Sequence, residues 1–186
     1  MTLLSNLLTI VYLCGLLLLL GCLAIYLYSL TMTHVPYLSL SKKHLPNILA
    51  ALELKPESVL YELGCGDGRI VIAGAVSQPS ARCVGIEYAL APILMARLAH
   101  RRAGKLQNVV IRKENFFKTD LSEATHIFCY LYPKVMADLH EKFKKELRPG
   151  TRVVACDFPI ESKIPLHIVP LVPKTILGKN LYVYTY

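Results

Sequence analysis

Apolar and polar positions are laid out along this chain in two unlike ways. Residues 7–32, LLTIVYLCGLLLLLGCLAIYLYSLTM, are apolar on every side, and no Asp, Glu, Lys or Arg occurs before Lys42. Beyond that point, short apolar runs alternate with amphipathic ones. SLSKKHLPNILAALEL carries apolar residues at helical spacing, with Ser41 placed to cap it and Pro56 to close it. SVLYEL reads as a buried strand and GRIVIAGAVS as the helix after it. Residues 81–87 form a second strand, and LAPILMARLAHRRAG a second helix ending in basic residues and Gly104. NVVIRK and THIFCYLY are the third and fourth strands. PKVMADLHEKFKKELRPG is a helix opened by Pro133 and closed by Pro149 and Gly150. TRVVACDF is a fifth strand, and LHIVPLV and NLYVYTY are two more with no helix between them. Strands alternating with helices predict a parallel sheet covered on both faces, and the closing pair predicts one antiparallel edge strand.

The apolar head is about 39 Å long as a helix, against a hydrocarbon core of about 30 Å. It can span with some tilt. Tyr26 and Tyr28 stand near its end, where amphipathic rings favour the interface. A cleaved signal peptide would need a basic start, a shorter apolar core and a small-residue cleavage site, none of which is evident. The pattern therefore predicts a transmembrane anchor over residues 1–33 and a second domain over residues 34–186. Lys42 and Lys43 follow the anchor, so the positive-inside rule puts that domain on the cytoplasmic side, or the matrix side in a mitochondrion.

Charge and cysteine usage refine this. With 21 basic against 13 acidic residues, the net +8 falls entirely outside the anchor. Such an excess suits an anionic neighbour (nucleic acid, acidic protein or phospholipid head groups) or simply a basic solvated surface. The six cysteines have neither zinc spacing nor a disulfide framework, and they read as reduced, mostly buried thiols. None of the six histidines has metal-ligand spacing, so no metal site is expected; His34 and His44 are expected to face the membrane.

The chemistry-bearing stretch is YELGCGDGR. Gly64, Gly66 and Gly68 stand between the first strand and its helix. In an open parallel sheet, ligands bind at the carboxyl ends of the strands. Glycines there let the backbone approach a ligand, and helix amides face it. The spacing is not G-x-G-x-x-G, because the third glycine comes one residue early and Arg69 holds the last position; nor does Gly-Lys-Ser/Thr follow, as a P-loop requires. Glu62, ahead of the glycines, would repel a pyrophosphate and attract an ammonium group. Glu87 ends the second strand, where an acid takes ribose hydroxyls. Ammonium, ribose diol, adenine and no phosphate together describe S-adenosyl-L-methionine.

The pattern E-x-G-x-G-x-G followed by a strand ending in Glu resembles the class I S-adenosylmethionine-dependent methyltransferases. That resemblance implies an α/β, Rossmann-like, seven-stranded, mostly parallel sheet, here preceded by a single N-terminal transmembrane helix. A closer resemblance rests on HVPYLSLSKKHLPNILAAL, ELGCGDGRIVIAGA, NFFKTDLSEATHIFCYLYPKVMADLHEKFKKEL and TRVVACDFP. These segments look like the membrane-anchored protein-lysine methyltransferases that act on the ATP synthase c-subunit and the adenine nucleotide translocase. The resemblance implies N-methylation of a lysine in a protein at or in a membrane.

Roles follow from it. Gly64, Cys65, Gly66 and Gly68 would shape the loop under the methionine part of the cofactor. Glu62 would hold the ammonium group or a water; Asp67 is either a second acid there or a helix cap. Glu87 would take the ribose diol, Tyr88 would flank the adenine, Asn115 would meet its amino edge and Phe116 would lie beside the ring. Core packing is the alternative for Phe116 and Phe117. Tyr130 and Tyr132 are expected to line a substrate channel and Tyr37 to form a lid, with amphipathic core positions as the alternative. YLYP replaces the Asn/Asp-Pro-Pro-aromatic motif of the DNA and amide N-methyltransferases, which argues against adenine-base methylation and leaves RNA open, with nucleic acid not the expected partner. Asp157 departs from the basic or polar residue expected before Phe-Pro. Methylation of a lipid or small hydrophobic molecule, and a non-catalytic membrane-tethered scaffold, are the other readings.

Overall fold

A computed structural model describes residues 2–32, 40–173 and 178–186. It has two compact units, Met1–Pro36 and Tyr37–Tyr186. The first is α1 (Thr2–Met32), an uninterrupted helix whose described side chains are all exposed. Its stretch Leu4–Leu27 has a mean hydropathy of 2.6 and is long and apolar enough to cross a membrane.

The second unit carries a 3-10 turn (Lys42–His44) running into α2 (Leu45–Leu52), then β1 (Val59–Leu63), α3 (Arg69–Ser77), β2 (Arg82–Glu87), α4 (Leu90–Arg102), β3 (Val109–Lys113), β4 (His126–Cys129), α5 (Pro133–Glu146), β5 (Arg152–Cys156), β6 (His167–Pro170) and β7 (Asn180–Thr185). The seven strands form one sheet in the order β3-β2-β1-β4-β5-β7-β6. β1 to β5 are mutually parallel, and β7 runs antiparallel to both its neighbours. The one reversed strand foreseen near an edge is therefore β7, with β6 as the outermost strand. Order reverses between β1 and β4, so the carboxyl ends of those strands border a crevice.

Alternation along the strands assigns the two faces. Leu60, Cys83, Phe128, Val154 and Val183 pack with Ile48, Leu52, Val71 and Ala75 from α2 and α3. Tyr61, Leu63, Ile127 and Val153 point the other way, where α5 supplies Met136 against Cys129 and Phe143 against Tyr186. No helix joins β3 to β4. That connection is held on the sheet by the Tyr61 hydroxyl, which donates to Glu123 at 2.5 Å, and by Arg82, which donates to the same carboxylate at 2.8 Å.

The ends of the elements have local causes. Ser41 accepts from Lys43 N at 3.4 Å and caps the 3-10 turn rather than a regular helix. Glu53 adopts a left-handed conformation (φ 51) that ends α2 three residues before Pro56. Arg152 donates to the Ala51 carbonyl at 2.7 Å and to Glu53 at 2.7 Å, placing a cation at the negative end of α2. β4 stops at Cys129, which leaves Tyr130 and Tyr132 outside the ladder. His44 is fully buried instead of facing a membrane, because it packs at Gly178, and His34 lies outside the described residues. The thiols of Cys65, Cys83, Cys129 and Cys156 are free and buried, and those of Cys14 and Cys22 are exposed on α1.

Gly85 sits in the middle of β2 because the glycine loop lies on top of it. A Cβ there would stand 2.9 Å from the Cys65 sulfur, 3.1 Å from its Cβ and 3.3 Å from Val71. Gly85→Ala should therefore destabilise the domain by about 1–3 kcal/mol through overpacking. Chemical denaturation followed by circular dichroism checks this, and an unchanged midpoint would mean that the loop can move aside freely.

Candidate functional site

The site begins with backbone. Gly64, Gly66 and Gly68 have φ of 75°, 55° and 75°, left-handed values that a β-carbon resists. Gly64 N and Cys65 N both donate to the Ile86 carbonyl at 2.9 Å, and Gly68 N donates to Cys65 O at 2.8 Å. The loop thus curls over the end of β2 and feeds α3. It borders a cleft lined further by Leu40, Glu62, Asp67, Arg69, Phe128 and Tyr130.

Each acid has a separate setting. Glu62 is buried, and its carboxylate accepts from Val71 N at 2.8 Å in the first turn of α3. Burial pushes its pKa well above the ordinary carboxylate range, against the lowering effect of that hydrogen bond. Glu87 accepts from Gly66 N at 3.0 Å with one oxygen and from Ala89 N at 2.8 Å with the other. Burial raises its pKa as well. Asp67 behaves oppositely. Burial works against its ionisation, but the Arg69 guanidinium, donating at 2.8 Å and 2.6 Å, outweighs this and holds it below the ordinary value. Asp67 also accepts from Arg69 N at 3.3 Å, while the N-cap position of α3 is held by Gly68 and not by Asp67. Arg69 further donates to the Leu40 carbonyl, tying the segment ahead of α2 to the loop.

The adenine-side candidates follow the ends of β2 and β3. Glu114 N donates to Glu87 O at 3.2 Å, which brings residues 114–116 next to Glu87. Asn115 Oδ1 accepts from Phe117 N at 2.9 Å, a turn that sets the loop. The Phe116 and Phe117 rings pack together at 4.8 Å, and Tyr88 is 53% exposed.

Past β4, Leu131 is buried against Gly64, so Tyr130 and Tyr132 on either side of it turn together toward Phe158. The three rings form one wall, with Phe158 stacked 6.2 Å from Tyr130 and 5.7 Å from Tyr132. The Tyr130 hydroxyl is buried and lies in hydrogen-bond reach of the Asp157 carboxylate. Burial, and then the neighbouring Asp157 carboxylate, push its pKa above the ordinary tyrosine value. Asp157, at φ 60, accepts from Gly178 N at 2.7 Å and Asn180 N at 3.3 Å, and also from Lys179 N. That explains an acid before Phe-Pro: it pins the start of β7 to the end of β5. Tyr37 lies outside the described residues. Sequence reasoning missed Phe158, Arg69 and Leu40. Phe158 had a signal in its position just past a strand end, whereas the contacts of Arg69 and Leu40 depend on distant chain.

The cleft suits a cationic ligand without phosphate. It presents Glu62 and Asp67, with Glu87 behind the loop, and its one lining guanidinium is already engaged by Asp67 and Leu40. A sheet of order 3-2-1-4-5-7-6 with a glycine loop after β1 and an acid after β2 defines the seven-strand methyltransferases, whose cofactor is S-adenosyl-L-methionine. Residues 62–167 match the model of the ANTKMT methyltransferase domain, and the chain belongs to that family.

Relatives agree. A protein-lysine N-methyltransferase of Saccharolobus islandicus (strain REY15A) is 34% identical over 151 residues, covering 81% of this chain and 93% of its own. The adenine nucleotide translocase lysine N-methyltransferase of Mus musculus is 34% identical over 137 residues, covering 73% of this chain and 58% of its own. The chain thus spans less than two thirds of that mammalian relative. An RNA methyltransferase from Salinibacter ruber, solved in complex with S-adenosyl-L-homocysteine, superposes with a TM-score of 0.73 at 35% identity, covering 80% of this chain and 93% of its own.

The double duty of Glu87 gives a measurable expectation. Glu87→Ala removes the clamp on Gly66 and the acid expected to meet the ribose diol, and should weaken S-adenosylmethionine binding by about 1–3 kcal/mol, the value of hydrogen bonds to a charged group. Titration calorimetry reads this directly, and unchanged affinity would remove the acid from the cofactor site.

Proposed function

We propose that this chain is a membrane-tethered protein-lysine N-methyltransferase whose substrate is a lysine of a membrane-associated protein. The observation that carries this reading is the wall of Tyr130, Phe158 and Tyr132, with the buried Tyr130 hydroxyl beside the Asp157 carboxylate. Such a wall fits the aliphatic stem of a lysine, and the hydroxyl fits its nitrogen. In support, the translocase and ATP synthase c-subunit enzymes among the relatives carry membrane-protein substrates in their names. Residues 1–33 act as the anchor and residues 34–186 as the catalytic domain, on the cytoplasmic or matrix side, with Lys42 and Lys43 as the basic flank.

S-adenosylmethionine supplies an activated methyl group when bound. Glu62 holds its ammonium group directly or through a water, Gly64, Cys65, Gly66 and Gly68 lie under its methionine part with Asp67 beside them, and Glu87 takes the ribose diol. Tyr88, Asn115 and Phe116 receive the adenine. The substrate lysine arrives charged, since its free pKa is about 10.4. Contact with the aromatic wall strips water from the ammonium group and lowers that pKa. Tyr130 stays neutral, because its own pKa is raised, and it orients the nitrogen by a hydrogen bond. Positioning and a preorganised field supply most of the acceleration. Tyr37 is the candidate lid.

Methyl transfer to RNA is the second reading, favoured by the net +8 and by the name of the Salinibacter relative. Membrane extracts incubated with the full chain and tritiated S-adenosylmethionine separate the readings. Label in protein, lost on protease treatment and recovered as methyl-lysine, is the expected result. Label in RNA or in lipid would replace the reading, and no label would leave a scaffold. A variant beginning at His34 should bind cofactor like the full chain yet methylate its membrane substrate far more slowly, because tethering raises effective concentration. Equal rates on intact membranes would reduce α1 to an address.

Tyr130→Phe separates chemistry from packing. It deletes the hydroxyl that meets Asp157 and keeps the stacked ring, so stability should fall by no more than about 1.5–3 kcal/mol, the value of a hydrogen bond to a charged group, while the methylation rate should fall roughly two- to tenfold, about 0.5–1.5 kcal/mol for one hydrogen bond to the nitrogen. An unchanged kcat would remove the hydroxyl from the reaction.

A further inference from the structure

The outer face of α4 does nothing for the fold or the cleft. Ile93 and Ala96 point inward and are fully buried, and the opposite side carries Leu90, Leu94, Met95 and Leu98 at 42%, 54%, 51% and 46% exposure. Leu90, Leu94 and Leu98 fall at i, i+4 and i+8, a continuous apolar stripe along the helix. A soluble surface tolerates scattered leucines, but an aligned row marks a contact.

The charges around the stripe say what the contact is. Arg97, Arg101 and Arg102 are exposed on the same arc of the helix, and Lys105 follows directly. No Asp or Glu occurs anywhere in residues 88–113. Among the described residues the ion pairs lie elsewhere, on Arg69, Arg82, Lys142, Lys144 and Arg152, so these three arginines are uncommitted. Leucines along the arc, Arg101 in line with them at its last turn, Arg97 and Arg102 to either side and no acid suit a helix that lies in a membrane interface. A protein partner would need a matching acidic rim around an apolar groove. An anionic bilayer offers both over any area, and α1 already gives this chain a reason to be at one.

We infer that α4 is a docking surface for an anionic phospholipid bilayer, lying in the head-group layer with Leu90, Leu94 and Leu98 directed into it. The inference rests on the membrane-tethered reading only for the source of the bilayer. α4 starts three residues after Glu87, so docking would hold the adenine end of the cleft at the lipid surface.

The chain has no tryptophan, so a single one is a clean reporter. The full chain carrying Leu94→Trp is mixed with vesicles of phosphatidylcholine, with or without phosphatidylserine, bearing brominated acyl chains. Leu98→Trp repeats the reading on the same stripe. Ala137→Trp, exposed on α5 over the opposite face of the sheet, is the control. With phosphatidylserine, emission from positions 94 and 98 should shift to the blue and be quenched several-fold more than from position 137, and added salt should reverse the difference. Unquenched, water-like emission at both stripe positions overturns the inference. So does a blue shift without quenching, which would mean a protein partner or second copy, and so does equal quenching without phosphatidylserine. Flotation with neutral vesicles reads α1 independently. If the chain fails to float there while position 94 is quenched on anionic ones, the anchor reading falls and the docking surface stands.

Discussion

The Glu87 carboxylate is the interaction on which the site depends. One oxygen holds Gly66 at the crown of the loop, and the other holds Ala89 at the start of α4. Together with the Ile86 carbonyl, which accepts from two consecutive loop amides, it fixes a loop with three left-handed residues at alternate positions. Left alone, such a segment would have many conformations to lose on folding. The strand below contributes by what it lacks: Gly85 gives Cys65 the room to lie against β2. The cleft is therefore a product of β1–β2 pairing and is as rigid as that pairing.

The acids around the cleft divide their tasks by burial and partner. Asp67 is paired with Arg69 and stays ionised. Glu62 and Glu87 are raised by burial, so the native state holds a proton on each more tightly than the unfolded chain does. For an acid raised in this way, the native state binds more protons than the unfolded one. Its contribution to stability is present below the ordinary glutamate value and is lost as pH rises through the folded pKa. A cation entering the cleft opposes this, because it favours the ionised form.

Much of this was legible in the sequence because the signals were local. The strand and helix periods gave all seven strands, the glycine spacing gave the loop, and an acid at the end of a strand drew attention to Glu87. Residue roles that depend on distant chain were not legible. Glu87 was read as a ligand for ribose, yet its carboxylate also has backbone partners 21 positions before it and two after it. Asp157 looked out of place in its motif. Its partners are the amides of residues 178–180, a connection that no window of a dozen residues contains. The stacking of Phe158 between Tyr130 and Tyr132 needs β4 and β5 to end side by side, which follows from strand order rather than from spacing.

Asp157 and the aromatic wall set opposing demands on a lysine, and the opposition suits the proposed reaction. A carboxylate beside Tyr130 attracts the ammonium form and works against its deprotonation. The wall, by excluding water, penalises that same charge. Were recruitment the whole task, the carboxylate alone would serve; were deprotonation the whole task, it would be a hindrance. The nitrogen, however, must be neutral only at the moment of transfer, and it becomes positive again as it gains the methyl group. An anion held rigidly by backbone amides favours that returning charge without having to reorganise, which is the condition for electrostatic stabilisation of a transition state. The desolvating wall limits how long the charged reactant is stabilised, and the fixed anion acts on the charge that develops. On this account Asp157 takes part through its field, while the backbone amides of residues 178–180 hold it in place.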